Sequence, residues 1–109
     1  MITVTMLCNN GDPVGFHVTG HAECGAYGED LVCAAVSAVV QTAILGITDV
    51  LMLKCGISIE EGDAYCIIDQ NTPQLKKDQA AIVIRTMEMG VRSIQSLHPG
   101  TLKIRNKEV

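Results

Sequence analysis

From Leu31 to Thr48 the chain carries no charged side chain. Read as a helix from about Leu31 to Leu53, this stretch is apolar nearly all round, at least through Ile47. A helix laid on one sheet needs only an apolar stripe, whereas one hydrophobic on every side must be covered on every side. The chain has 109 residues, enough for one hydrophobic core, so residues 1–109 are expected to form a single domain. Too few elements remain to cover such a helix, which predicts a homodimer with the helix near the interface. Ser37, Gln41, Thr42 and several alanines interrupt the run, which at this borderline length reads as a buried helix rather than a membrane span.

The flanking segments supply a sheet. Met1 to Cys8 alternates Ile2, Val4 and Met6 with Thr3, Thr5 and Leu7, the period of a strand with one face buried. Asn9-Asn10-Gly11-Asp12-Pro13 is a turn signal in which Gly11 supplies positive φ, and Val14 to Thr19 returns as the second strand of a hairpin. Phe16 and Val18 share one of its faces, His17 and Thr19 the other. After the apolar helix, with Gly46 a candidate break and Gly56 its expected C-cap, Ile57 to Glu61 and Ala64 to Asp69 flank Gly62-Asp63 as a second hairpin.

A second helix is predicted over Lys76 to Leu97. It places Ala80, Ile84, Met87, Val91 and Ile94 on one face and an i,i+4 pair, Glu88 and Arg92, on another. His98-Pro99-Gly100 ends it, and Thr101 to Lys107 is a last strand whose Lys103, Arg105 and Lys107 form one face of an edge. The order is β-β-α-β-β-α-β, which defines a two-layer α+β fold: a mostly antiparallel sheet with two helices.

Composition removes several function classes. The formal net charge is -4, and apart from Lys76-Lys77 and the basic tail the eight Lys and Arg are scattered. Phosphate binding needs clustered positive charge, so direct nucleic-acid binding is disfavoured, and with no Trp, one Phe and two Tyr there is little to stack on bases. Five cysteines, an odd count with no C-x-x-C pair, together with the lack of a signal peptide, argue against a secreted disulfide framework. A reducing cytoplasmic setting is expected.

The segment Gly20 to Ser37, GHAECGAYGEDLVCAAVS, carries the chemistry. Its histidine, His21, follows a strand; Gly20, Gly25 and Gly28 punctuate a permissive loop; Asp30 stands before the apolar run as an N-cap, which makes Cys33 the N3 residue. A thiolate is stabilised at a helix N-terminus, and an imidazole can take the thiol proton and return it to a leaving amine. The segment thus meets the requirements of a Cys/His dyad. Asp30 is read first as the cap and second as an orienter of His21, and Ser37, one turn beyond Cys33, is a candidate partner for the sulfur or substrate.

Other readings of the same residues stand beside this one. Cys33 can be an apolar filler of an Ala/Val helix. His21, Cys24 and a later Cys can supply three zinc ligands, although the spacing fits no common zinc motif. A non-catalytic binding module is a further alternative. Cys8, Cys55 and Cys66 read as core.

G-H-A at Gly20 to Ala22, G-x-D at Gly28 to Asp30 and V-C-A-A-V-S at Val32 to Ser37 resemble the ribosomal-processing cysteine protease family, Prp. The likeness extends to the opening MITV strand, the two-helix order and the length. It implies that His21 is the general base and Cys33 the nucleophile, with no cofactor. It also implies a peptide substrate, the N-terminal extension of bacterial large-subunit ribosomal protein twenty-seven, and a homodimer. It assigns no role to Cys24 or Tyr27.

Overall fold

The computed structural model describes residues 1–20 and 29–109, and of Glu29 and Asp30 the backbone only. Its elements are β1 (Ile2–Asn9), β2 (Asp12–Thr19), α1 (Glu29–Leu45) continued by a π-helical turn (Gly46–Val50), β3 (Cys55–Glu60), β4 (Asp63–Ile68), α2 (Gln74–Leu97) and β5 (Leu102–Glu108). The order is the expected one, and the class is α+β.

The strands form one sheet in the order β3-β4-β2-β1-β5. Both hairpins pair as their turn residues require, with Asn10 and Gly11 both at positive φ in the first (φ 52° and 84°). The hairpins join through antiparallel β2 and β4, where Phe16 faces Cys66. Among the described strands only β5 runs parallel to its neighbour, beside β1, because α2 carries the chain back along the sheet before β5 begins.

Side chains of one parity point to the helices and form the core. Ile2, Val4, Met6, Phe16, Cys66, Ile68 and Leu102 meet Val32, Val36, Val40, Ile44 and Ile47 of the first helix. Ala80, Ile84, Met87 and Val91 of α2 complete the contact, which is the stripe that helical spacing predicts. Glu88 and Arg92 close their i,i+4 ion pair at 2.8 Å on the outer side. The opposite sheet face is mostly polar, Leu7 and Ile67 apart, and there His17 hydrogen-bonds Asp63 at 3.0 Å.

The first helix differs from its predicted extent. Instead of continuing to Leu53 with Gly56 as a cap, the α-helix widens at Gly46, where Leu51 N–H reaches back to the Gly46 carbonyl at 2.9 Å. Met52, at φ 56°, turns the chain, and Leu53 N–H bonds the Ile47 carbonyl at 3.0 Å. The widened turn lies against α2: a methyl on Gly46 would lie 3.1 Å from Val83 Cγ1, so the glycine lets the two helices close together there. Gly56 lies inside β3, paired with Ile67.

Candidate active site

The two helices leave the β3–β4 hairpin uncovered on the helix side, and a groove opens there. Its volume is about 510 Å³. One wall is α1, which contributes Cys33, Ser37 and Gln41 at successive i,i+4 steps, with Val36, Val40 and Ile44 beside them. The other wall is the hairpin from Ile59 to Ala64, and Ile2 and Val18 also line the space. The lining is mostly apolar, with Glu60 and Glu61 exposed along one rim.

Cys33 is half-buried and packs against the core edge while facing this groove. As the fifth residue of α1, two places further in than the predicted N3 because the helix begins at Glu29, it stands just past the first turn, whose N–H groups have no intrahelical partner. Side chains on a helix tilt toward its N-terminus, so the thiol leans back toward those donors and the positive end of the dipole. Ser37, one turn on, is exposed and accepts a 3.4 Å hydrogen bond from Gln41 Nε2.

Gly20 lines the same groove from the end of β2. Its φ is 89°, and its N–H donates to the Gly62 carbonyl at 3.0 Å, so the strand end is tied to the β3–β4 turn. Cys33, Ser37 and Gly20 thus share one cavity. His21, Cys24, Gly25, Tyr27 and Gly28 lie outside the described residues, and so does the zinc reading built on His21 and Cys24. Asp30 is described by backbone alone: α1 begins at Glu29, so Asp30 falls inside the first turn and not at the cap. An acidic residue in that turn still complements the helix dipole.

The remaining described cysteines are differently placed. Cys66 is fully buried, and burial, followed by the adjacent Cys55, pushes its thiol up to about 12. Burial first, then the Glu108 carboxylate, raises Cys8. Both stay protonated near neutrality, the behaviour of core thiols. A larger concavity, about 750 Å³, lies between the β1–β2 turn and the start of α2, but neither cysteine nor histidine lines it.

Sequence reading missed the contribution of Gln41 and of the hairpin wall. The i,i+4 spacing from Cys33 carries the signal for Gln41. The wall from Ile59 to Ala64 has no local signal, because it depends on β4 pairing with β2.

A thiol near a helix start, opening on a largely apolar groove, defines a candidate cysteine hydrolase. The family model for cysteine protease Prp matches residues 1–103, and the chain belongs to that family and is a cysteine protease. It is 26% identical over 108 residues to the ribosomal processing cysteine protease Prp of Staphylococcus aureus strain Mu50, spanning 98% of this chain and all of that protein. The crystal structure of the S. aureus protease with a covalently linked product peptide is similar at a TM-score of 0.82 and 25% identity, covering 98% of this chain and 100% of that one. SMU.848 from Streptococcus mutans shares the fold at a TM-score of 0.80 and 24% identity, covering 100% of this chain and 96% of that one.

Proposed function

We propose that this chain is a ribosomal-processing endopeptidase in which Cys33 is the nucleophile and His21 the general base. The observation that carries the reading is the position of Cys33 at the start of α1, facing the groove. The substrate is the N-terminal extension of bacterial large-subunit ribosomal protein twenty-seven, in keeping with relatives that carry the ribosomal-processing name and one captured with a linked peptide.

His21 takes the Cys33 proton, and the thiolate attacks the scissile carbonyl carbon. N–H groups of the first turn of α1 hold the resulting oxyanion. As the C–N bond breaks, the imidazolium gives its proton to the departing amine, leaving a thioester on Cys33. Water, deprotonated by His21, then releases the new carboxylate and regenerates the thiol. Asp30 favours the imidazolium from the first turn, and Ser37 contacts sulfur or peptide.

Thiol reactivity tests the assignment cheaply. Limiting iodoacetamide near pH 7, followed by peptide mass mapping, is expected to label Cys33 well ahead of Cys8, Cys55 and Cys66, with Cys66 labelled only after unfolding. Equal labelling of all five thiols would support a non-catalytic binding module instead. A stoichiometric metal in elemental analysis, with unfolding by a chelator, would favour the zinc reading.

The working form is a cytoplasmic homodimer that meets neither membrane nor nucleic acid directly. Leu31, Leu45, Val50 and Met52 are 65%, 55%, 78% and 81% exposed along the first helix and its π turn, an apolar surface that a second copy would cover. The helix has the length and hydropathy of a membrane span over Leu31–Val50, yet its other side is built into the core. Sedimentation at micromolar concentration is expected to show a dimer that Leu45→Glu with Val50→Glu dissociates. A wild-type monomer would refute this.

A further inference from the structure

The groove has a direction. From Cys33 it runs along α1 past Ser37 and Gln41 to Ile44, and the hairpin wall accompanies it. At the helical rise of 1.5 Å per residue, Gln41 stands about 12 Å and Ile44 about 16 Å from Cys33 along the axis. An extended peptide advances about 3.3 Å per residue, so the groove holds about five residues to one side of the attacked bond. Gln41 then lies opposite the residue three to four places from that bond.

Among the described residues of the α1 wall, Gln41 is the one long polar side chain, set among Val36, Val40 and Ile44. Its carboxamide offers two N–H donors and a carbonyl acceptor, and one N–H is engaged by Ser37 at a long 3.4 Å. A peptide lying in an otherwise apolar channel needs partners for its main-chain N–H and C=O groups, and a carboxamide serves both kinds.

We infer that Gln41 is a specificity-determining residue: it hydrogen-bonds the substrate three to four residues from the scissile bond and makes cleavage depend on about five substrate residues on that side. The inference rests on Cys33 being the nucleophile. The occupant is an extended peptide, because the candidate nucleophile opens on this channel and a relative of the same fold holds a peptide. Gln41 is exposed, so its replacement does not disturb the core.

The test uses the full chain and peptides of one cleavable ribosomal-precursor sequence, shortened one residue at a time from either end. Against the longest peptide, Gln41→Ala is expected to raise KM about tenfold, the value of one hydrogen bond, with kcat at saturation changed less than twofold. Once truncation on one side leaves fewer than three residues, wild type and variant should share the same KM. A KM ratio of one, or a ratio independent of peptide length, overturns the assignment. Absence of cleavage by wild type, or equal cleavage by Cys33→Ala, would instead sink the nucleophile reading and this inference with it.

Discussion

Cys33→Ala is expected to lower kcat/KM for the ribosomal precursor by about 10⁴-fold or more, because the covalent route disappears with the sulfur and only positioning and oxyanion binding remain. The fold should be untouched. Cys33 is half-buried at the edge of the core and lies within an alanine-rich helix, where alanine is the best helix former and the lost sulfur leaves no sealed cavity. Circular dichroism and the urea midpoint therefore serve as controls, and Cys33→Ser keeps the shape while exchanging the nucleophile. His21→Ala is expected to fall nearly as far, since the thiol is then left without a base to take its proton and the departing amine without an acid. Retained processing by Cys33→Ala would refute the proposed mechanism, whatever the variant's stability.

What could be read from sequence divides by range. The stripe Ala80, Ile84, Met87, Val91 and the turn at Asn10-Gly11 are set by neighbours three or four residues apart, so periodicity and turn chemistry reveal them. The strand order β3-β4-β2-β1-β5 is set by pairings across most of the chain, and no local pattern encodes it. The π turn is a similar case: Gly46 is visible as a break, but the contact with Val83 that makes it useful is not. At the site, Cys33, Ser37 and Gln41 fall on one face by helical spacing alone. The partner wall at Ile59 to Ala64 exists only because β4 docks on β2 and the helices stop short of β3.

Gly20→Ala is expected to cost about 2–4 kcal/mol of stability, from two separate penalties that meet at one residue. The first is conformational: at φ 89° an L side chain crowds its own carbonyl. The second is steric, since an added methyl would run into the carbonyl oxygen of Met1, the residue before β1, a backbone atom that cannot swing aside. Gly11→Ala separates them. Its φ is 84°, but nothing lies within 4 Å of a methyl there, so only the conformational part, roughly 1–2 kcal/mol, applies. Urea unfolding with unchanged slope should therefore place the Gly20→Ala midpoint below that of Gly11→Ala; equal midpoints would mean that the Met1 contact relaxes freely. The consequence reaches the chemistry because Gly20 joins the end of β2 to the β3–β4 turn through the Gly62 carbonyl and immediately precedes the proposed base, His21. At a temperature where both variants remain folded, Gly20→Ala should lose more kcat/KM than Gly11→Ala, since only the former shifts the point from which the base is carried to Cys33.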